Sequence, residues 1–203
     1  WSHGSASAQS TVFQDTFDSE TQGLNVTSLT NWTVAGKVDV IGTGFFDFYP
    51  GNGNYLDMDG SPGNGTITTK TPLSLSPGTY SLSFEMGQNG PGPNDDNGLS
   101  VTLGTLFSGA FAAPPPGGGV LTPINVTVYV LTPTTASLSF SETGTVDARG
   151  SILDDVTLTH VQPEVMICHY PPGNPAKAHE KMVGPKAAAK HIEKHGDTLG
   201  PCP

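Results

Sequence analysis

Glycine and proline leave this chain almost no room for long regular elements. From Gly23 onward one or the other interrupts the sequence at least about every dozen residues, and the chain holds 26 glycines and 18 prolines. The stretches between them are rich in Val, Leu, Ile, Phe, Thr and Ser, so the interruptions separate short strands rather than helices. A hydrophobic content of 35% supplies a real core, and a charged content of 13% excludes a strongly charged disordered chain. At 203 residues the chain has the length of one ordinary domain with a small appendage.

The apolar spacing locates the strands. Val12, Phe13 and Phe17 mark the first; Trp32–Val34 and Val38–Ile41 read as two arms folded over Ala35-Gly36-Lys37. Residues 55–59 and 65–69 follow, and Tyr80, Leu82, Phe84 and Met86 alternate with polar residues, which predicts one buried face. Further strands are expected over 99–103, 124–130, 136–140 and 152–161. Roughly nine or ten strands with no amphipathic helix among them predict an antiparallel β-sandwich. The loops Asn89–Gly98 and Ala112–Gly119 are too rich in Gly, Pro and Asn for regular structure. They are solvated connections or contact surfaces.

Charge divides the chain. Residues 1–162 carry 14 acidic and three basic side chains, whereas 163–203 carry four acidic and five basic ones, four of the six histidines and both cysteines. The expected organisation is an extension over 1–10, a sandwich over 11–161 and a Cys/His-rich module over 162–203. A net charge of −10 disfavours nucleic-acid or anionic-membrane partners, and no apolar run is long enough to span a bilayer. Ser5-Ala6-Ser7-Ala8-Gln9 has the small-x-small form of a signal-peptide cleavage scar, although 1–8 could equally be a foreign remnant. Sequons at Asn25, Asn31, Asn64 and Asn125 are candidate glycosylation sites. Together with a plausible disulfide they point to an extracellular protein.

Residues 31–86 (NWTVAGKVDV…YLDMDGS…LSPGTYSLSFEM) and the closing GSILDDVTLTHV at 150–161 resemble bacterial secreted galactose-binding-like jelly rolls, relatives of the carbohydrate-binding modules. The resemblance covers 11–161. It implies a jelly-roll sandwich that binds glycans or mediates adhesion without catalysis, with a structural calcium between neighbouring first and last strands. Asp15, Asp18 and Glu20, with Asp154 and Asp155, would then converge as oxygen ligands. Adjacent strand residues face opposite ways, so one of Asp154 and Asp155 points inward and needs a cation or backbone N–H groups. Asp57/Asp59 and Asp95/Asp96 are weaker candidates in loops expected to be solvated. Phe45, Phe46, Phe48, Tyr49 and Tyr55 form the densest aromatic cluster. Phe46, Phe48, Tyr49 and Tyr55 are candidates for stacking on sugars, with Asp47, Asn52 and Asn54 near for hydroxyls. The alternatives are a small core under a loop or a subunit contact.

The tail runs CHYPPGNP at 168–175, His179, then GPKAAAKHIEKHGD at 184–197 and Cys202. Pro185 and Gly196 bracket a predicted helix that stacks His191 and His195 at i and i+4. With His169 and His179 they form a candidate zinc or copper site; the alternative is four histidines on a stapled helix. Cys168 and Cys202 can pair only with each other, or serve as ligands in a reducing compartment. The run is similar to a small Cys/His module found at the ends of bacterial secreted proteins. Cys168-His169 lacks the first cysteine of a haem-attachment motif, with Val165 in its place, which argues against haem.

No hydrolase, phosphate-loop or zinc-protease motif occurs, so no enzyme is expected. The small polar residues of 1–10 would order only against a neighbour. The main expectation is therefore a secreted structural subunit that assembles with other copies of itself into a filament or matrix. A monomeric carbohydrate-binding or adhesion module, with polysaccharide as partner, is the alternative.

Overall fold

A computed structural model describes residues 9–89, 96–115 and 119–203. The chain is an all-β antiparallel jelly-roll sandwich with a small disulfide-stapled module of one short helix at its C-terminus. The hydrogen-bonded path of the main sheet runs Phe107–Ala112, Gly98–Leu103, Leu138–Glu142, Thr66–Thr69, Trp32–Gly42, Asn54–Asp57, Ser151–Gln162, Gly78–Gln88 and Thr122–Val130. Ser10–Asp15 adds to Ser151–Gln162, and Gly23–Ser28 to Trp32–Gly42. First and last strands of the sandwich are thus neighbours, as the resemblance implies.

The two arms expected around Gly36 are instead one eleven-residue strand, Trp32–Gly42. One edge of it pairs first with Thr66–Thr69 and then with Asn54–Asp57. Gly36, at φ +77°, sits at the change of partner, and a Cβ there would lie 2.3 Å from the Asn64 carbonyl oxygen. The glycine permits a close approach of two chains, where the sequence suggests a hairpin turn. The alternation at 80–86 does bury Tyr80, Leu82, Phe84 and Met86. They join Trp32, whose ring meets Phe13 and Phe140 edge-on at centroid distances of 5.1 and 5.9 Å.

In the tail, Val165–His169 is flanked by His179–Val183 and Thr198–Leu199. The predicted helix spans Pro185–His195, with Pro185 in its first turn and Gly196 closing it in the left-handed conformation at φ +68°. Ala188 packs on Val165, Ile167 and Val183, and Tyr129 and Leu131 of the sandwich complete this small core. So small a core needs its staple, and Cys168–Cys202 is bonded across a sequence separation of 34. Closing a loop of that size contributes about 3–4 kcal/mol. In a Cys168→Ala/Cys202→Ala variant, limited proteolysis is expected to cut within 163–203 at least tenfold faster than in the parent. The sandwich should stay resistant. Equal protection of the tail in both proteins would contradict this.

Candidate functional site

A cleft of ≈230 Å³ opens beside the strands Gly23–Ser28 and Trp32–Gly42. Its walls come from Leu24, Asp39 and Ile41 on neighbouring strands, from Asp57, Ser61 and Asn89 at strand ends, from Ala148 and Arg149, and from the rings of Phe46 and Phe48. Both rings are substantially exposed, Phe46 at 56% and Phe48 at 37%. Phe46 also holds φ +52°, a strained conformation for a bulky residue.

The other two aromatic candidates face the opposite way. Tyr49 and Tyr55 are buried with Ile41, Leu121 and Ile152 in a satellite core. The Tyr55 hydroxyl oxygen accepts the backbone N–H groups of Phe48 at 2.6 Å and Tyr49 at 3.1 Å. The Tyr49 hydroxyl donates to the Gln88 carbonyl and accepts the Gln88 N–H. Burial pushes the Tyr55 hydroxyl up to about 12, so it stays protonated. The two tyrosines are buried and fix the loop that presents Phe46 and Phe48.

Carboxylates hold the remaining walls. Asp57 and Asp59, expected to be solvated, are fully buried. Asp59 accepts the N–H groups of Gly63, Asp147 and Ala148. Asp57 accepts those of Asp59 and Gly150 and the Asn89 side-chain amide. Glu142 accepts four backbone N–H groups, those of Gly98, Thr143, Gly144 and Ser151. Asp39 accepts the Asn25 N–H and the Ser61 hydroxyl, both at 2.6 Å. Burial pushes the Asp57 carboxyl up to about 7, against the pull of Asn89 and the two N–H groups.

Among the described residues the calcium candidates do not form a metal-sized grouping, although Asp18, Asp154 and Asp155 lie near one another. The Asp15 carboxylate is occupied internally, accepting from the Phe17 N–H, the Asn31 amide and the Trp32 indole. Glu20 accepts the Thr30 N–H, and Asp18 accepts the Asn54 N–H and the Thr16 hydroxyl. Asp154 is the inward-facing member of its pair and accepts the Asp155 N–H at 2.8 Å, while Asp155 is exposed at φ +48°. Burial, with Asp155, Asp18 and Glu85 nearby, pushes the Asp154 carboxyl up to about 8. Asp95 lies outside the described residues; Asp96 is exposed.

Of the sequons, Asn25 and Asn64 are half-buried and donate their side-chain N–H groups to the carbonyls of Ser61 and Gly144. Asn31 donates to Asp15, and Asn125 is exposed on its strand.

The four tail histidines lie in one neighbourhood. His169 and His179 are cross-strand partners, and His191 and His195 extend from the helix beside them. Ring centroids lie 5.3 Å apart for His169–His179 and His169–His191, 5.4 Å for His191–His195 and 6.3 Å for His169–His195. Asp197, fully buried, was not among the sequence candidates. Its Oδ2 faces Nδ1 of both His169 and His191, at 2.8 and 2.9 Å, and its Oδ1 accepts the Tyr170 N–H. Among the described residues, His169, His191 and Asp197 are the one metal-sized grouping, with ligand atoms within 4.8 Å of one another. The only sequence signal for Asp197 is its place directly after the helix-closing Gly196.

No protein-family model and no curated protein matches the chain. Among solved structures it is similar to the C-terminal CBM6 of LamC, a marine laminarinase from Zobellia galactanivorans, at 15% identity over 62% of this chain and 90% of that one, with a TM-score of 0.41. It is similar to the carbohydrate-binding module CBM6cm-2 of Cellvibrio mixtus lichenase 5A at 14% identity, covering 73% and 97%, with a TM-score of 0.41. It is also similar to the K3 cleaved adhesin domain of Lys-gingipain from Porphyromonas gingivalis, at 18% identity, 75% and 99% coverage and a TM-score of 0.42.

Proposed function

We propose that the chain is a secreted, monomeric carbohydrate-binding module that holds a neutral polysaccharide in the cleft rimmed by Phe46 and Phe48. The observation that carries this reading is the pairing, in one cavity, of two solvent-facing phenyl rings with carboxylate, amide and guanidinium groups. The C–H face of a pyranose ring is apolar and its edge carries hydroxyls, so a binder needs an aromatic surface beside fixed polar groups. Phe46 keeps a strained backbone at an exposed position, its ring edge-on to Phe45 at 4.9 Å and otherwise open to solvent. Ser61, Asn89 and Arg149 line the same cleft and supply polar groups for sugar hydroxyls. The cleft is smaller than the roughly 300–1,000 Å³ of a drug-sized pocket, so it suits one or two rings of a longer glycan. The acidic balance of residues 1–162 disfavours polyanionic glycans.

Secretion is supported by the disulfide, which persists in oxidising compartments. No helix among the described residues is long and apolar enough to cross a membrane. The filament expectation rests on the N-terminal stretch, and residues 1–8 lie outside the described residues.

Affinity electrophoresis against a panel of neutral polysaccharides tests the proposal. Wild type is expected to be retarded by at least one of them, and Phe48→Ala and Phe46→Ala each to weaken binding about 10- to 30-fold, the loss of a central contact. Leu199→Ala, on the tail and outside the cleft, is expected to leave binding unchanged. Retardation that survives Phe46→Ala/Phe48→Ala, or none by any glycan, would overturn the reading.

A further inference from the structure

We propose that His169, His179, His191 and His195 bind one divalent late transition-metal ion through their Nε2 atoms, and that Asp197 is a positioning residue for two of these ligands. The site belongs to the tail and does not depend on the cleft.

The protonation pattern follows from the partners. An ionised carboxylate only accepts hydrogen bonds, so the Nδ1 atoms of His169 and His191 that face Asp197 Oδ2 carry the proton. The lone pair of each neutral ring is then on Nε2, at the far side from the carboxylate. His179 follows the same rule: its Nδ1 lies 3.2 Å from the Lys177 carbonyl oxygen, another acceptor, which again leaves the lone pair on Nε2. Three imidazoles from three elements are thus held in one tautomer by oxygens behind them. Metal-binding histidines are typically fixed in this way by carboxylate or carbonyl partners.

Distance separates this arrangement from histidines that merely share a helix. A metal–nitrogen bond of about 2.0–2.1 Å places tetrahedrally arranged imidazole centroids about 5.2 Å apart. Of the six ring pairs, three stand at 5.3, 5.3 and 5.4 Å and His169–His195 at 6.3 Å. The ligand atoms already within 4.8 Å of one another are those of His169, His191 and Asp197. His195 occupies the last helical turn and is exposed, and it and His179 turn their rings to reach the ion. His179 is exposed as well, and the side chains of His169 and His191 are 17% and 23% exposed, so an ion can enter from solvent. Cys168 is bonded to Cys202, so sulfur is not a ligand. An all-imidazole set suits Zn²⁺ or Cu²⁺, with Cu²⁺ the tighter. The buried negative charge of Asp197 favours either ion through the rings it touches.

The experiment is titration of the full-length, disulfide-intact protein with ZnCl₂ and, separately, CuSO₄, by calorimetry with a competing chelator. One equivalent of at least one ion is expected to bind tighter than 1 μM, a limit chosen on the order of ordinary specific affinities. His191→Ala should weaken it at least 100-fold. Asp197→Asn should weaken it about 10- to 100-fold with one equivalent still bound, the effect of removing an outer partner. His179→Ala changes only an exposed side chain and keeps the test valid if a buried variant unfolds; it should weaken binding at least tenfold. The copper-loaded parent should give an electron paramagnetic resonance spectrum with hyperfine splitting from several nitrogens. Binding weaker than 10 μM for both ions, or binding unaffected by His179→Ala, overturns the proposal.

Discussion

Glu142→Ala is expected to lower the melting temperature by about 10 °C. The side chain is a single acceptor for four backbone donors, and two of them, the N–H groups of Gly98 and Ser151, lie on buried residues. The other two, Thr143 and Gly144, can turn to water once the carboxylate is gone. Leaving a buried N–H without a partner costs about 1–3 kcal/mol, so the two buried donors together cost about 4 kcal/mol. In a chain of this size each kcal/mol corresponds to about 2–4 °C. Glu142→Gln keeps one oxygen but turns an NH₂ group toward one of the donors, so an intermediate loss is expected. The loop that Glu142 ties down leads to Ala148 and Arg149, which wall the cleft. Polysaccharide binding should therefore fall in Glu142→Ala even below its melting temperature. Differential scanning calorimetry checks the first effect; a melting point within 2 °C of the parent would mean that water reaches all four donors.

Residues of this kind mark the boundary of what the sequence discloses. Strands with a period-two pattern, such as Tyr80–Met86, declare themselves because burial of one face leaves a linear trace. The tail helix declares itself through Pro185, Gly196 and the i, i+4 histidines, and the disulfide through a lone pair of cysteines. The loop aromatics leave no such trace. Phe46, Phe48, Tyr49 and Tyr55 are equivalent by composition, and which ring turns inward depends on donors supplied by distant chain, such as the Gln88 N–H. Buried carboxylates are hidden for the same reason. Asp57, Asp59 and Glu142 sit in Gly-rich polar segments that resemble solvated loops, yet each is buried by N–H groups from segments dozens of residues away. Asp197 is the extreme case. Its role exists only once the His169 strand and the His191 helix have been brought face to face.

Two of the buried carboxyls make stability run against the usual direction with pH. Asp57 and Asp154 are pushed up to about 7 and about 8, chiefly by burial, with acidic neighbours adding to it. In the unfolded chain both titrate near 3.9. Between about pH 4 and their native values the folded protein therefore keeps protons that the unfolded chain has lost. Stability then falls as pH rises, by up to about 1.4 kcal/mol per pH unit for each group. Asp96, held below its ordinary value chiefly by hydrogen bonds from Thr145, acts only at pH below that value and leaves the window untouched. A buried carboxyl relaxes and admits water as it ionises, so a total loss of about 3 kcal/mol between pH 5 and pH 8.5 is expected, a drop of about 6–12 °C in melting temperature. Asp154→Asn keeps an oxygen to accept the Asp155 N–H and removes the charge facing Asp155, Asp18 and Glu85. It should melt several degrees above the parent at pH 8.5, match it near pH 5, and show about half the slope. Asp57→Asn should remove much of the remainder. A melting temperature that rises from pH 5 to pH 8.5 in the parent, or a slope unchanged in both variants, would show that these carboxyls ionise freely in the folded protein.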